Sequence, residues 1–392
     1  MKKIISYLTF AALIGGVIFG LVGGNRVTAF EFAGSFYLTF LKYMILPVIF
    51  TSISVSIYQS RTSKTHVVVE AVILFAVMFI VSFLLSSAII LLIDPAAGFE
   101  MMYQDYEAST IEIKIADFFL NLLPKDLKGL FTGKYLFFII AVSYLWGLLA
   151  HRLKREKVMN VITRIRDFLY QILSYLMYLT PIAVFSLMGT AVQRFGLDAL
   201  KAGLKYIVTA YRCGIAVLIL VMLVPVMIYC KLSVRELIQK VSPIWLITLS
   251  TCSSAATLPY TVKLCKEDLG IDPQITDVVV PLGCTIHMCG GAVSFSLLGL
   301  FCAKCFGLEL TLGSYLYMLA IAVALNMSAP GIPGGGVVIG ATYLEMMGLP
   351  LTFIGLYAGI YKILDMLYTT LNVTGDISAN VILDHRLKKR NQ

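Results

Sequence analysis

The sequence predicts an all-α membrane protein of about eight transmembrane helices plus two re-entrant helical hairpins. Three observations carry that expectation. The 392-residue chain is 59% hydrophobic and 14% charged, with a mean hydropathy of +0.88, whereas a soluble domain is about a quarter charged. Apolar runs recur from residue 4 to residue 383 with no Pro/Ser-rich linker between them, so the chain reads as one integral unit. Polar, glycine-rich sequence falls inside segments that otherwise look bilayer-spanning: Ser-Ser-Ala-Ala-Thr-Leu-Pro at 253–259, Gly-Ile-Pro-Gly-Gly-Gly at 331–336 and Asn-Val-Thr-Gly-Asp at 372–376. Such backbone is tolerated at membrane depth only where protein buries it or it lines a cavity.

Met1-Lys2-Lys3 before the apolar run Ile4 to Val22 has the look of a secretory signal. The run is long and no small-x-small site closes it, so it is read as a retained first span near 4–23. Further spans are expected near 34–58, 67–93, 133–151, 165–192, 203–231, 275–304 and 350–383, each long enough for about 30 Å of hydrocarbon. The formal charge of +9 is spread over Lys/Arg at 2–3, 61–64, 152–157 and 386–390, while the 94–117 loop carries Asp94, Glu100, Asp105, Glu107, Glu112 and Asp117. By the positive-inside rule both termini face the cytoplasm. Each basic cluster sits at the end of an apolar span, which argues against nucleic acid as its partner.

Two segments break the pattern. In 240–262, Trp245 to Leu249 leads into the Ser/Ala/Thr/Pro run, and in 312–348 a Pro/Gly cluster interrupts an apolar stretch. Both are read as re-entrant hairpins, flanking the 275–304 helix and entering from opposite sides. Opposed hairpins suggest inverted repeats and a binding site near the midplane.

The last helix carries the sharpest constellation. Asp365, Thr369, Asn372 and Asp376 stand at i, i+4, i+7 and i+11, within about 60° of arc at 100° per residue. Intramembrane carboxylates are costly and normally face a pathway, with a structural salt bridge as the bland reading. Lys362 near the same face and Arg212 in the sixth span are the candidate partners. All eight cysteines follow residue 212, mostly in apolar runs, which suits reduced thiols better than a disulfide framework. Cys302-x-x-Cys305 with Cys289 and His287 nearby lacks the second paired cluster of a zinc site. No Walker loop, HExxH or Gly-x-Ser-x-Gly is present, so the chain is not read as an enzyme.

At these residues the chain resembles the dicarboxylate/amino acid:cation symporters, the glutamate transporter family. The resemblance covers nearly the whole length, including Leu41 to Pro47. It is strongest at Ser253 to Pro259, Pro281-Leu282-Gly283-Cys284-Thr285-Ile286, Gly331-Ile332-Pro333-Gly334, and Asp365 through Asn372-Val373-Thr374-Gly375-Asp376. It implies a multi-pass homotrimer in the bacterial inner membrane that moves small solutes by an elevator mechanism. Spans 1–2 (1–66) and 4–5 with the acidic outer loop (94–200) would form a scaffold. Span 3 (67–93) and residues 201–383 would form the transport domain, followed by a basic tail, 384–392. Asp365 would hold a substrate's α-amino group, and Thr369 and Asn372 would contact its amino and carboxylate groups. Ser253, Ser254 and Ala255, with the 329–334 tip that contains Pro333 and Gly334, would offer backbone amides. Asp376, Asn372 and the Gly283 carbonyl would ligate one Na⁺; Thr285 and carbonyls near Asn326, Met327 and Ala329 would ligate another. Hard carboxylate and carbonyl oxygens suit such a cation, and hairpin amides suit a carboxylate. No organic cofactor is implied.

The departures set the expected substrate. Where acidic-substrate members carry Arg, three residues after the Asp at 365, this chain has Tyr368; where some relatives carry Arg in the first hairpin, it has Cys252. Without a bidentate guanidinium an acidic side chain would be desolvated unpaired, so a neutral amino acid is the expectation. The alternatives are a dicarboxylate or acidic amino acid, with Lys362 or Arg212 supplying the charge, and a non-transporting membrane sensor. The seventh-span signature Asn-Met-Asp-Gly-Thr reads His287-Met288-Cys289-Gly290-Gly291 here. With Met78 and Phe79 aligned where hydroxyl ligands are expected, the third cation site is expected to be absent. His287 replaces an Asn tied to cation binding, which makes H⁺ the second coupling ion considered beside Na⁺.

Overall fold

In the computed structural model the N-terminal apolar run folds as α1 (Lys2–Val22), followed by α2 (Asn25–Ser60), α3 (Thr65–Ile93), α4 (Leu136–Arg152) and α5 (Glu156–Leu176). The structure describes residues 2–60, 65–99, 136–308, 310–326, 335–349 and 353–390. The elements after α5 are α6 (Thr180–Val217), α7 (Val224–Cys230), α8 (Val234–Thr251), α9 (Ser254–Lys263), α10 (Pro273–Ile286), α11 (Cys289–Cys305), α12 (Leu312–Asn326), α13 (Gly335–Met346) and α14 (Phe353–Arg390). Among the described residues the chain is all-helical. By length and composition, three stretches are apolar enough to cross a membrane: Val67–Ile93, Gly196–Cys230 and Pro273–Cys305. Leu91, Leu92, Leu204 and Leu220 stand exposed on such helices, a pattern that suits contact with hydrocarbon rather than water. Most of the acidic outer loop lies outside the described residues, as do Arg61 and Lys64.

Small residues set how closely the helices approach. A Cβ on Gly16 or Gly20 would collide with the backbone of Phe185 or Gly189, so α1 lies directly on the first half of α6, as small residues permit between apolar helices. Gly196 bends α6, with φ 60° and ψ −148°, a conformation that only glycine adopts without strain. Beyond the bend α6 changes partner: Gly203 faces Leu356 and Ile360, and Gly214 faces Leu367, all on α14. Tyr206, Phe301, Phe353 and Tyr357 pack ring to ring there, Tyr206 and Phe301 at 5.3 Å. The long α14 also packs against α3, α8, α9, α10, α11 and α13, so its polar stripe is enclosed by protein.

Two expected spans are interrupted. The continuous 165–192 helix is broken at the 3-10 turn Met177–Leu179, because Pro181 lacks an amide hydrogen and is accommodated in the first turn of α6 rather than inside a helix. The 275–304 helix is broken at His287 and Met288, both with non-helical backbone, just before Gly290-Gly291, which propagate a helix poorly.

The segment expected as the first hairpin runs α8, break, α9. Ser233 caps α8 in a reciprocal capping box with Glu236, and these hydrogen bonds hold the Glu236 carboxyl below its usual range. Cys252 then ends α8 in the left-handed region with φ 49°, rare for a residue with a Cβ. Ser253 is extended and accepts the Ala256 N–H, capping α9. The second expected hairpin comprises α12 and α13; its 327–334 tip lies outside the described residues.

Candidate functional site

Five helix ends meet the middle of α14. They are the C-terminal ends of α8 and α12 and the N-terminal ends of α9, α11 and α13, and with α14 they line a cavity of about 60 Å³. That space holds several waters or a small solute. From the expected substrate residues the wall takes Ser254, Asp365, Tyr368, Thr369 and Asn372, and from the expected cation residues Asn326. It also takes Cys252, Met288, Gly291, Ser294, Phe295, Gly336, Ile339 and Tyr361, which the sequence did not single out as ligands. The helix N-termini bring a partial positive charge to the cavity, the usual means of receiving an anion.

Side-chain bonds lock these ends in place. Gly290 N–H donates to Asn372 Oδ1 at 2.7 Å, and a Cβ at Gly290 would overlap the Tyr368 backbone. The start of α11 is thus pinned to α14. Asn326, at the end of α12, bonds the Met288 backbone at 2.6 and 3.2 Å in the amide orientation that pairs donors with acceptors. On the other side Thr248 and Thr370 hydroxyls meet at 2.7 Å, and the Trp245 indole donates to Thr374 Oγ1 at 3.0 Å, joining α8 to α14.

Asp365 is 6% exposed, and the Thr369 hydroxyl lies 3.5 Å from its Oδ1. Lys362 does not form a salt bridge with it: the Lys362 ammonium lies 3.1 Å from Cys252 Sγ, the thiol on the cavity wall. Neither Lys362 nor Arg212 lines the cavity itself, and Arg212, the other proposed partner, is exposed on α6. Tyr368 is buried, and its hydroxyl has no hydrogen-bond partner among the described residues.

The remaining expected residues lie elsewhere. Ser253 serves as the α9 cap, and Ala255 is exposed on α9. Thr285 is exposed, with its hydroxyl returned to the Leu282 carbonyl at 2.7 Å. Gly283, His287 and Asp376 form a separate cluster: His287 Nδ1 is 3.0 Å from Asp376 Oδ1, and its Nε2 is 2.8 Å from Cys289 Sγ. Met78 and Phe79 are buried. Pro333, Gly334, Met327 and Ala329 lie outside the described residues.

A cavity at the meeting of broken apolar helices, with a buried carboxylate and several helix N-termini, suits a membrane protein built around a small polar solute. The comparisons name the class more closely. Residues 5–386 match the model of the sodium:dicarboxylate symporter family, and the chain belongs to that family. It is a family of transporters, not of enzymes. Among its relatives, the C4-dicarboxylate transport protein of Laribacter hongkongensis is 24% identical over 98% of this chain and 89% of its own length. The proton/glutamate-aspartate symporter of Bacillus subtilis is 23% identical, covering 98% and 95%. The proton/sodium-glutamate symport protein of Bacillus caldotenax is 24% identical, covering 98% and 94%.

Proposed function

We propose that this protein takes up an acidic amino acid together with Na⁺ or H⁺. The observation that carries this reading is the Lys362 ammonium placed 3.1 Å from Cys252 Sγ at the wall of the cavity that also contains Asp365. The expectation of a neutral substrate rested on the lack of a cation to meet a side-chain carboxylate, and Lys362 removes that premise. A thiol is a weak acceptor and an ammonium has three donors, so Lys362 retains capacity for a stronger partner. Asp365 suits the substrate's α-ammonium, with Thr369 and Asn372 beside it and the amide-bearing ends of α9, α11 and α13 for the α-carboxylate. A C4-dicarboxylate fits less well: it brings no cation to Asp365, and two carboxylates forced together without one repel. The names of the relatives favour an acidic amino acid or dicarboxylate over a neutral amino acid.

The wider mechanism follows the same reading. The α8–α9 and α12–α13 segments act as re-entrant hairpins. Residues 67–93 and 201–383 move as the transport domain against a scaffold of spans 1–2 and 4–5, within a homotrimer of the bacterial inner membrane whose termini are cytoplasmic. Thr285 and the carbonyls near Asn326, Met327 and Ala329 supply one cation site.

Thermal stabilisation of the purified protein by a panel of solutes tests the substrate, since a ligand of the folded state raises its apparent stability. Aspartate or glutamate should stabilise, and succinate and alanine should not. A response to alanine or serine alone would restore the neutral substrate, and one to succinate alone would make the protein a dicarboxylate carrier.

A further inference from the structure

The family resemblance assigns Asp376, Asn372 and the Gly283 carbonyl to a Na⁺ ion, and one oxygen on each of the three already faces a partner within the protein. Gly283 O takes the His287 N–H at 2.8 Å, Asn372 Oδ1 takes the Gly290 N–H at 2.7 Å, and Asp376 Oδ1 faces His287 Nδ1 at 3.0 Å. The imidazole itself is satisfied at both ends. With the proton on Nδ1, the ring donates to Asp376 and accepts from the Cys289 thiol at 2.8 Å, an assignment made from the network.

The surrounding fold is shaped for this pair. A Cβ on Gly283 would collide with Asp376 Oδ1, and one on Gly375 would come within 2.9 Å of His287 Cε1. Two glycines on facing helices therefore leave the space that carboxylate and ring occupy. Phe75 covers one face of the ring, with centroids 4.4 Å apart and planes 13° apart. The imidazole is wholly buried. Carboxylate and thiol contact opposite nitrogens with the ring between them, so they cannot converge on one ion. A Na⁺ ion held here would need hard oxygens in place of its water, and reaching Asp376 Oδ1 would require displacing a packed ring.

We propose that the His287 side chain permanently fills this cation position, so that the protein binds no Na⁺ at Asp376 and any Na⁺ it uses is held elsewhere. The inference rests on reading the chain as a cation-coupled symporter, but it is tested without substrate. Melting of the full-length protein would be followed against NaCl, with choline chloride holding ionic strength constant, for wild type, Asp376→Asn, His287→Asn and the double variant. Wild type and Asp376→Asn should respond to Na⁺ identically, and His287→Asn should gain a Na⁺-dependent rise in melting temperature that the double variant lacks. A Na⁺ response larger in wild type than in Asp376→Asn would overturn the proposal, as would a His287→Asn protein that gains none.

Should the variants fail to fold, ¹⁵N-histidine NMR on protein with His66, His151 and His385 replaced by Gln reads the remaining ring directly. Unchanged His287 ring shifts up to saturating Na⁺ support the filled site; a saturable shift overturns it. Failure of every solute to stabilise the protein would count against symport and leave this result intact.

Discussion

The Lys362 ammonium and the Cys252 thiol meet at 3.1 Å although 110 positions separate them in sequence. The contact carries a cation from α14 to the tip of α8, where Cys252 adopts a left-handed backbone at the cavity wall. The ammonium thus lies one contact behind the cavity wall, where Tyr368 and Cys252 stand at two positions expected to carry arginine.

Lys362→Met should weaken binding of aspartate or glutamate about tenfold to a hundredfold, the worth of one charge-assisted hydrogen bond. Affinity for a neutral amino acid, if measurable, should stay within about threefold. Lys362→Arg should preserve most of the acidic affinity. Isothermal titration of the three proteins decides it, and equal losses for acidic and neutral solutes would mean that Lys362 only holds the α8 tip.

Asp365→Asn should remove detectable amino-acid binding while leaving the ligand-free melting temperature within a few degrees. The ammonium of a substrate loses its counter-charge, a loss of about 3 kcal/mol or more when the partner is buried. Retained affinity, measured by the same titration, would remove Asp365 from the substrate site.

The stripe containing Asp365 was legible from the sequence because one uninterrupted helix carries it, so spacing alone fixes the face. The break at Cys252-Ser253 was legible too, since Ser253 and Ser254 prefer a cap to a helix interior. The break at His287 was not: apolar sequence flanks it on both sides, and only Gly290-Gly291 hinted at it. Lys362 read naturally as a partner of Asp365, three residues on, because helical spacing reports neighbours within α14 and nothing about the α8 tip. The pairing of His287 with Asp376 was hidden for the same reason. It depends on Gly283 and Gly375 making room on facing helices, which one sequence cannot reveal.

Gly290→Ala should destabilise the protein by about 1–3 kcal/mol, the cost of overpacking. Its new methyl meets the Tyr368 backbone, which cannot turn aside as a side chain can, and the shift would loosen the Asn372 bond to the same residue. Gly313→Ala provides the contrast. Its nearest neighbour would be Thr311 Oγ1 at 3.7 Å, so the gain in helix propensity should leave stability unchanged or raise it by up to about 1 kcal/mol. Melting curves in one detergent compare the two.

Thr374→Val tests whether α8 is clamped to α14 by the bonds seen between them. Valine keeps the shape of threonine but leaves the half-buried Trp245 indole N–H without its 3.0 Å acceptor, at a cost of about 1 kcal/mol. The chain has two tryptophans, so a Trp146→Phe background makes Trp245 the sole reporter. In that background Thr374→Val should shift the Trp245 emission maximum and lower the melting temperature. Thr370→Val should lower the melting temperature by removing the partner of Thr248, with a smaller change in emission. If neither variant alters stability, the α8–α14 contact is held by apolar packing, and the hydroxyl pairs serve only to satisfy one another inside the membrane.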